Sequence, residues 1–155
     1  MEAIKDLFTS YWILSVAASW LLAQIIKVFT NMYQNRGCGF SIKEMVFANG
    51  GMPSAHTASV ISLATSIAWS EGLGSVSFAI AILLAIVVMT DAVGVRRQAG
   101  FHAKKLNEML GLDANSEEKP YRELIGHTPL EVFFGALIGI ATPSLLSLIP
   151  LFGLH

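Results

Sequence analysis

Residues 50–58 read Gly-Gly-Met-Pro-Ser-Ala-His-Thr-Ala and mark the point where a polar loop turns into an apolar helix. Pro53 suits the first turn of that helix, because an N–H there needs no intrahelical partner. Free backbone N–H groups at a helix start can bind an anion. Gly50 and Gly51 have no side chain, so a ligand can approach the backbone closely there. Ser54 and His56 add a hydroxyl and an imidazole. The stretch predicts an anion site, although Gly, Pro and Ser are also ordinary helix-start residues.

A second loop-to-helix junction lies at residues 126–131, which read Gly-His-Thr-Pro-Leu-Glu. Two junctions that each carry a histidine suggest one site built from both. Glu131 is four residues after His127, so its carboxylate could hold one ring nitrogen and leave the other as a nucleophile. If the site cleaves a phosphate monoester, His56 would be placed to protonate the alkoxide that leaves. Thr128 and Glu131 also fit a capping box. The sequence leaves both interpretations of the glutamate open.

The composition indicates an integral membrane protein. Of 155 residues, 54% are hydrophobic and 14% are charged, and the mean hydropathy is +0.59. Soluble domains carry about 25% charged residues. The net charge of −1 gives no reason to expect a nucleic-acid partner. A single cysteine, Cys38, excludes a disulfide within the chain.

The apolar runs predict an all-α fold, a membrane helical bundle with about four transmembrane helices in a single domain. The expected spans are residues 11–30, 54–70, 75–93 and 129–152. The polar loops, residues 31–53 and 94–128, would then lie on one face of the membrane, with short interfacial helices at 40–47 and 101–110. The spacing Gly135-x-x-x-Gly139 predicts a helix-packing face.

The distribution of basic residues predicts an orientation. Nine of the ten Lys and Arg residues lie on the side of the two long loops, and Lys5 alone lies on the other. By the positive-inside rule the loops face the cytoplasm and both termini lie outside. The two histidine junctions are on the cytoplasmic side in this arrangement.

Several charged residues on that side are candidates for a phosphate site. Arg96 and Arg97 can hold phosphate oxygens bidentately, or they could fix topology and bind anionic lipid. Asp91 could orient an arginine or be a solvated end charge. Lys27 lies near the end of the first span, where a snorkelling lysine is the favoured interpretation before any motif is considered. His102 is interpreted as a surface histidine. No spacing typical of a metal site is present.

Three motifs carry a resemblance to a known family. Residues 53–56, Pro-Ser-Ala-His, resemble the Pro-Ser-Gly-His motif of the type-2 phosphatidic acid phosphatase and vanadium-dependent haloperoxidase superfamily. Residues 127–135, His-Thr-Pro-Leu-Glu-Val-Phe-Phe-Gly, resemble its last motif, His-x-x-x-Asp-Val-x-x-Gly. Together with residues 91–97, Asp-Ala-Val-Gly-Val-Arg-Arg, they make the chain similar to the small divergent branch of that superfamily, over about Lys27 to Gly139.

The resemblance implies a role for each matching residue. His127 would be the nucleophile that forms a phosphohistidine, and Glu131 would orient it. His56 would be the general acid, while Ser54 and Lys27 would bind phosphate. Neither a metal nor another cofactor is implied.

The chain also departs from the superfamily pattern. No Arg-Pro follows Lys27, and Arg122 precedes His127 by five positions instead of six, with Tyr121 in place of a serine. Arg122 remains a candidate phosphate ligand, and Arg96 or Arg97 is an alternative source of the guanidinium.

We therefore expect a metal-independent phosphatase of the bacterial plasma membrane. It would hydrolyse a lipid phosphate or pyrophosphate monoester, and it could act as a homo-oligomer. The alternative is a non-catalytic membrane protein that binds anionic lipid or acts as a scaffold. A third, less favoured reading is a metal-dependent phosphotransferase that uses Asp91 and the arginines, although two metals would need clustered carboxylates.

Overall fold

The computed structural model describes residues 10–34, 51–112, 116, 118, 120–123 and 125–149, and these residues contain helices and no strand. The helices are α1 Tyr11–Gln34, α2 Ala55–Glu71, α3 Val76–Val93, α4 Val95–Leu110 and α5 Pro129–Leu146. The all-α prediction is therefore confirmed. The helix expected at residues 40–47, Gly50, and the last residues of the 129–152 span lie outside the described residues.

Three of these helical segments are long and apolar enough to cross a membrane: α1, α3 with its continuation into α4, and α5. Helix α2 has 17 residues, which makes it about 25 Å long at 1.5 Å per residue. It packs against α1, α3 and α5. The chain is thus a helical membrane bundle with α2 at its centre.

Small residues let α5 approach α2 closely. A Cβ atom added at Gly135 would lie 2.5 Å from the backbone oxygen of Ser54, and one added at Gly139 would lie 2.7 Å from that of Ala58. Neither distance leaves room for a side chain. The expected packing face of Gly135 and Gly139 is confirmed, and it fixes α5 against the first turns of α2.

Helix α4 begins earlier than the sequence predicted. Gly94 separates α3 from α4, yet its N–H donates to Thr90 O at 2.9 Å and its carbonyl accepts from Gln98 N at 3.0 Å, so the chain passes from one helix into the next. The polar stretch from residue 94 therefore starts as a 16-residue helix instead of a loop. Its buried residues, Gly100, Ala103 and Asn107, recur every three to four positions as in an amphipathic helix.

Helix α2 begins one residue later than predicted. Ser54 is the N-cap, and its Oγ accepts a hydrogen bond from Thr57 N at 3.4 Å. Pro53 precedes the cap, so the expectation that it opens the first helical turn is wrong. The serine hydroxyl replaces the missing intrahelical acceptor, which is the usual reason for a serine at this position.

Candidate active site

Four helix ends meet at one end of the bundle: the C-termini of α1 and α3 and the N-termini of α2 and α5. Ser54 N donates to Glu131 O at 3.0 Å, and His127 N donates to Ala92 O at 2.9 Å. Thr30 Oγ1 donates to Met52 O at 2.6 Å. These bonds place the two histidine junctions side by side, although they are about seventy residues apart in the chain.

His127 is buried and held by one carboxylate. Its side chain is 6% exposed, and Nδ1 lies 2.8 Å from Glu131 Oε2. An ionised carboxylate only accepts hydrogen bonds, so this contact assigns the ring proton to Nδ1. The other nitrogen, Nε2, then presents a lone pair.

Glu131 also caps its own helix. The same Oε2 accepts from Thr128 N at 3.3 Å, and Thr128 Oγ1 accepts from Glu131 N at 3.3 Å, which together form a capping box. The two roles that the sequence left open are present together. Helix α5 starts at Pro129, after His127, so the pair does not share a helix face; the glutamate side chain instead folds back over the cap. The cap thereby fixes the carboxylate that orients the ring.

His56 lies opposite His127. The two ring centroids are 6.5 Å apart and the ring planes are inclined by 55°. His56 is in the first turn of α2 and is exposed, and its ring has no hydrogen-bond partner among the described residues. Since a hydrogen bond spans about 2.8 Å, both rings can contact one tetrahedral phosphoryl group placed beside them.

Lys27 is part of the same cluster. Its side chain is 5% exposed, so the snorkelling interpretation is wrong: the lysine turns into the bundle, where Glu131 is an electrostatic neighbour. Gly51 lies over it with a φ of +99°, and a Cβ atom at Gly51 would be 3.4 Å from Lys27 Cε and 3.2 Å from Asn31 Oδ1. A side chain at Gly51 would therefore be strained and would crowd the lysine.

A cleft of about 360 Å³ opens beside His127 and Glu131. One wall is a face of α4 and the other is the loop that leads into α5. Besides the histidine and the glutamate, the lining residues are Gly51, Arg97, Gly100, Phe101, Lys104, Glu123, Ile125, Gly126 and Thr128. The Arg97 guanidinium lies 5.5 Å from the centroid of the Phe101 ring, within cation–π range.

The structure separates the two adjacent arginines. Arg96 forms an ion pair through Nε with Asp91 Oδ2, and neither residue lines the cleft. Asp91 thus lies where it orients Arg96. Arg97 lines the cleft instead, so of the two it is the one placed to contact an anion beside His127. Arg96 is still close enough to act electrostatically on His56.

The loop wall of the cleft is fastened to α4 by Asn107, which is 3% exposed. Its Nδ2 donates to Tyr121 O and to Glu123 Oε1, and its Oδ1 accepts from Tyr121 N, each at 2.9 Å. Because this loop ends at His127, the amide helps to set the position of the buried histidine. No motif or spacing in the sequence indicates this role of Asn107.

Two glycines bring the loop and α4 into contact. A Cβ atom at Gly100 would lie 2.5 Å from Glu123 O, and one at Gly126 would lie 2.5 Å from Arg97 N. Gly126 also has a φ of +89°, which disfavours any other residue. Gly100 lies in the middle of amphipathic α4, where glycine weakens a helix. A glycine at such a position indicates that another segment packs closely against the helix there.

The remaining candidate residues lie outside the cleft wall. Ser54 is fully buried, and its Oγ accepts from Thr57 N and Thr57 Oγ1, the latter at 3.0 Å. Arg122 and His102 are exposed and do not line the cleft. Among the described residues no group of three or more His, Cys, Asp or Glu side chains could hold a metal ion.

Comparisons with known proteins agree with the motifs. The sequence pattern of the divergent PAP2 family matches residues 8–142. A protein of Bacillus subtilis strain 168, named as the uncharacterized membrane protein YuiD, is 38% identical to this chain, over 87% of the chain and 92% of that protein. No solved structure matches.

Proposed function

Because the chain belongs to the divergent PAP2 family, we propose that it is a membrane phosphatase that acts through a phosphohistidine on His127. The substrate would be the phosphate or pyrophosphate monoester of a membrane lipid. The observation that carries the proposal is the buried His127–Glu131 pair with a second imidazole 6.5 Å away. Nucleophile, orienting carboxylate and acid are the three groups that such a reaction needs.

In the first step, His127 Nε2 attacks phosphorus and the P–O bond to the lipid breaks. His56 in its protonated form donates a proton to the departing oxygen, which leaves as the lipid alcohol. Glu131 stabilises the positive ring that results, in the way that the carboxylate of a catalytic triad does. Lys27 and Arg97 offset the negative charge of the phosphoryl group.

In the second step, a water molecule attacks the phosphohistidine. His56, now neutral, accepts a proton from that water, and the P–N bond breaks to release inorganic phosphate. The electron pair returns to Nε2, so both histidines regain their starting states. The sum is hydrolysis of the ester by one water, and the chain's own side chains supply each proton transfer.

The membrane would be a bacterial plasma membrane with the site on its cytoplasmic side. The excess of Lys and Arg on the loop side supports this orientation. The orientation is tested with His102→Cys in a Cys38→Ser background, which leaves one cysteine in the chain. Residue 102 is exposed at the site end of the bundle. A membrane-impermeant thiol reagent should label this cysteine in inverted vesicles and leave it unlabelled in intact cells.

The activity itself is tested by release of inorganic phosphate from lipid phosphates in detergent with EDTA present. The wild type should turn over, and His127→Ala should be slower by about 10⁴-fold or more, as expected for loss of a nucleophile. His102→Ala, at an exposed histidine outside the cleft, is the matched control and should keep wild-type activity. Equal rates for His127→Ala and wild type would refute the assignment.

Vanadate distinguishes the phosphatase from a protein that only binds anionic lipid. Vanadate adopts the trigonal-bipyramidal geometry of the phosphoryl-transfer state, so an enzyme should bind it tightly through His127. Binding to lipid headgroups that depends on Arg96 and Arg97, with no turnover and no vanadate binding, would favour the non-catalytic alternative.

A further inference from the structure

Two pairs of adjacent basic residues lie on α4, and the structure divides both in the same way. Arg96 forms an ion pair with Asp91, and Lys105 forms one with Glu108 at 3.3 Å. Their neighbours Arg97 and Lys104 line the cleft, and neither has a carboxylate partner within ion-pair distance among the described residues. Each pair therefore presents one neutralised cation outside the cleft and one available cation within it.

The two available cations share one wall. Arg97 and Lys104 are seven residues apart, which is two helical turns and about 10 Å along the axis. Gly100 and Phe101 lie between them on the same face and also line the cleft. Arg97 is at the His127 end, because its backbone abuts Gly126, the residue before the histidine.

Glu123 also lines the cleft, but its position does not cancel the charge of Lys104. Its Oε1 accepts from Asn107 Nδ2 at 2.9 Å, and Asn107 is almost one turn beyond Lys104 on α4. The order along the wall is therefore Arg97, Lys104 and then the tethered carboxylate. No ion pair forms between Lys104 and Glu123 in the described part of the chain.

The size of the cleft exceeds what one phosphoryl group requires. Its volume of about 360 Å³ corresponds to about twelve water molecules at ~30 Å³ each. One tetrahedral group placed beside His127 and Arg97 would fill only the end next to the histidine. The rest of the cleft extends along α4 towards a second cation that the single-phosphate reaction leaves unused.

From this arrangement we propose that Lys104 binds a second phosphoryl group, so that the substrate class is the lipid diphosphate monoester. This inference rests on the proposed function. The terminal phosphoryl group lies against His127 and Arg97, and the inner one lies against Lys104. His127 attacks the terminal phosphorus and the bridging P–O bond breaks, so the lipid monophosphate leaves; water then releases inorganic phosphate from the histidine.

The experiment compares two substrates with the same hydrocarbon chain, farnesyl diphosphate and farnesyl monophosphate, on the full chain in detergent with EDTA. Wild type should prefer the diphosphate in kcat/KM. Lys104→Gln should raise KM for the diphosphate by about tenfold, the loss of one charge-assisted contact, and leave the monophosphate unchanged. Lys105→Gln, which removes the neighbouring paired lysine, is the matched control and should match wild type for both substrates.

Equal losses on both substrates in Lys104→Gln, or the same effect in Lys105→Gln, would overturn the proposal. Calorimetry tests the Lys104 subsite independently of the proposed phosphatase activity, by comparing the affinities for inorganic pyrophosphate and orthophosphate. Pyrophosphate that binds more tightly than orthophosphate, with the difference lost in Lys104→Gln, supports the subsite even if no lipid is hydrolysed. Turnover of both lipids without any diphosphate preference would retain the phosphatase and refute the subsite.

Discussion

The two histidine junctions are built alike and present their rings differently. At each, a hydroxyl side chain caps a helix: Ser54 for α2 and Thr128 for α5. His56 follows its cap, lies in the first helical turn and is exposed, with no hydrogen-bond partner for its ring among the described residues. His127 precedes its cap, is buried, and is fixed by Glu131 at 2.8 Å.

Similar local sequences thus present two rings that suit different chemical roles. A ring fixed at Nδ1 presents one nitrogen in a defined direction, which suits a nucleophile. A ring that is open to solvent can exchange its proton between turnovers, which suits a general acid and base. In the proposed mechanism, the position of each histidine relative to its cap separates the nucleophile from the general acid.

The largest effect is expected from removing the carboxylate charge that fixes the ring of His127. Glu131→Gln keeps a side chain that can complete the capping box, so α5 should still start at Pro129. The ring would lose the carboxylate that sets its tautomer and stabilises its positive form. We expect kcat to fall by about 10²- to 10⁴-fold with little change in thermal stability. A large drop in stability together with activity would show that the residue acts mainly as a cap.

The second test concerns the ring that is not fixed. His56→Ala should slow hydrolysis of an alkyl phosphate by about 10²-fold, because the alkoxide then leaves without a proton. An aryl phosphate such as p-nitrophenyl phosphate has a leaving group that needs no protonation, so its phosphohistidine should form at a rate much closer to that of wild type. Burst kinetics in both substrates measure this step. Equal losses for the two leaving groups would contradict the acid role.

The third test separates the junctions physically. A Cβ atom at Gly135 would lie 2.5 Å from Ser54 O, so Gly135→Ala should push α5 away from the start of α2. Overpacking of this kind costs about 1–3 kcal/mol, and we expect a lower thermal unfolding temperature in detergent together with reduced activity. Gly74→Ala is the matched control, since nothing lies within 4 Å of its added Cβ. Similar behaviour of the two variants would refute the close contact.

The smallest expected effect comes from the caps themselves. Thr128→Ala and Ser54→Ala should each cost about 1 kcal/mol, as loss of an N-cap hydroxyl does. Ser75 caps α3, since its Oγ accepts from Phe78 N at 3.1 Å. It lies at the end of α3 that is remote from the site, so Ser75→Ala is the control. All three should lower the unfolding temperature similarly. Ser75→Ala should leave kcat unchanged, whereas Thr128→Ala should also reduce it, because the backbone N–H of Glu131 loses its acceptor. An unchanged kcat in Thr128→Ala would contradict that coupling.

The sequence could predict what depends on local patterns. Apolar runs located the helices, the spacing of Gly135 and Gly139 located a packing face, and the two junctions placed His56 and His127 at one end of the bundle. Each of these follows from residues that are close together in the chain or from the alternation of spans.

The sequence could not predict what depends on the register of α4. Whether Arg96 or Arg97 faces the cleft is decided by how the helix restarts after Gly94, and no spacing in the sequence fixes that rotation. The hydrogen bonds of Asn107 reach Tyr121 and Glu123, which are fourteen and sixteen positions away across a polar stretch with no periodic pattern. The burial of Lys27 was missed because a lysine at the end of an apolar run usually reaches the headgroups.

The most direct measurement of the central claim is to trap the covalent intermediate. Wild-type protein is mixed with a lipid phosphate that is radiolabelled in its transferable phosphoryl group, quenched within one turnover, and digested. We expect an acid-labile, alkali-stable label on the peptide that contains His127, and no such label in His127→Ala. Full turnover without any labelled protein, or the same label on His127→Ala, would contradict it.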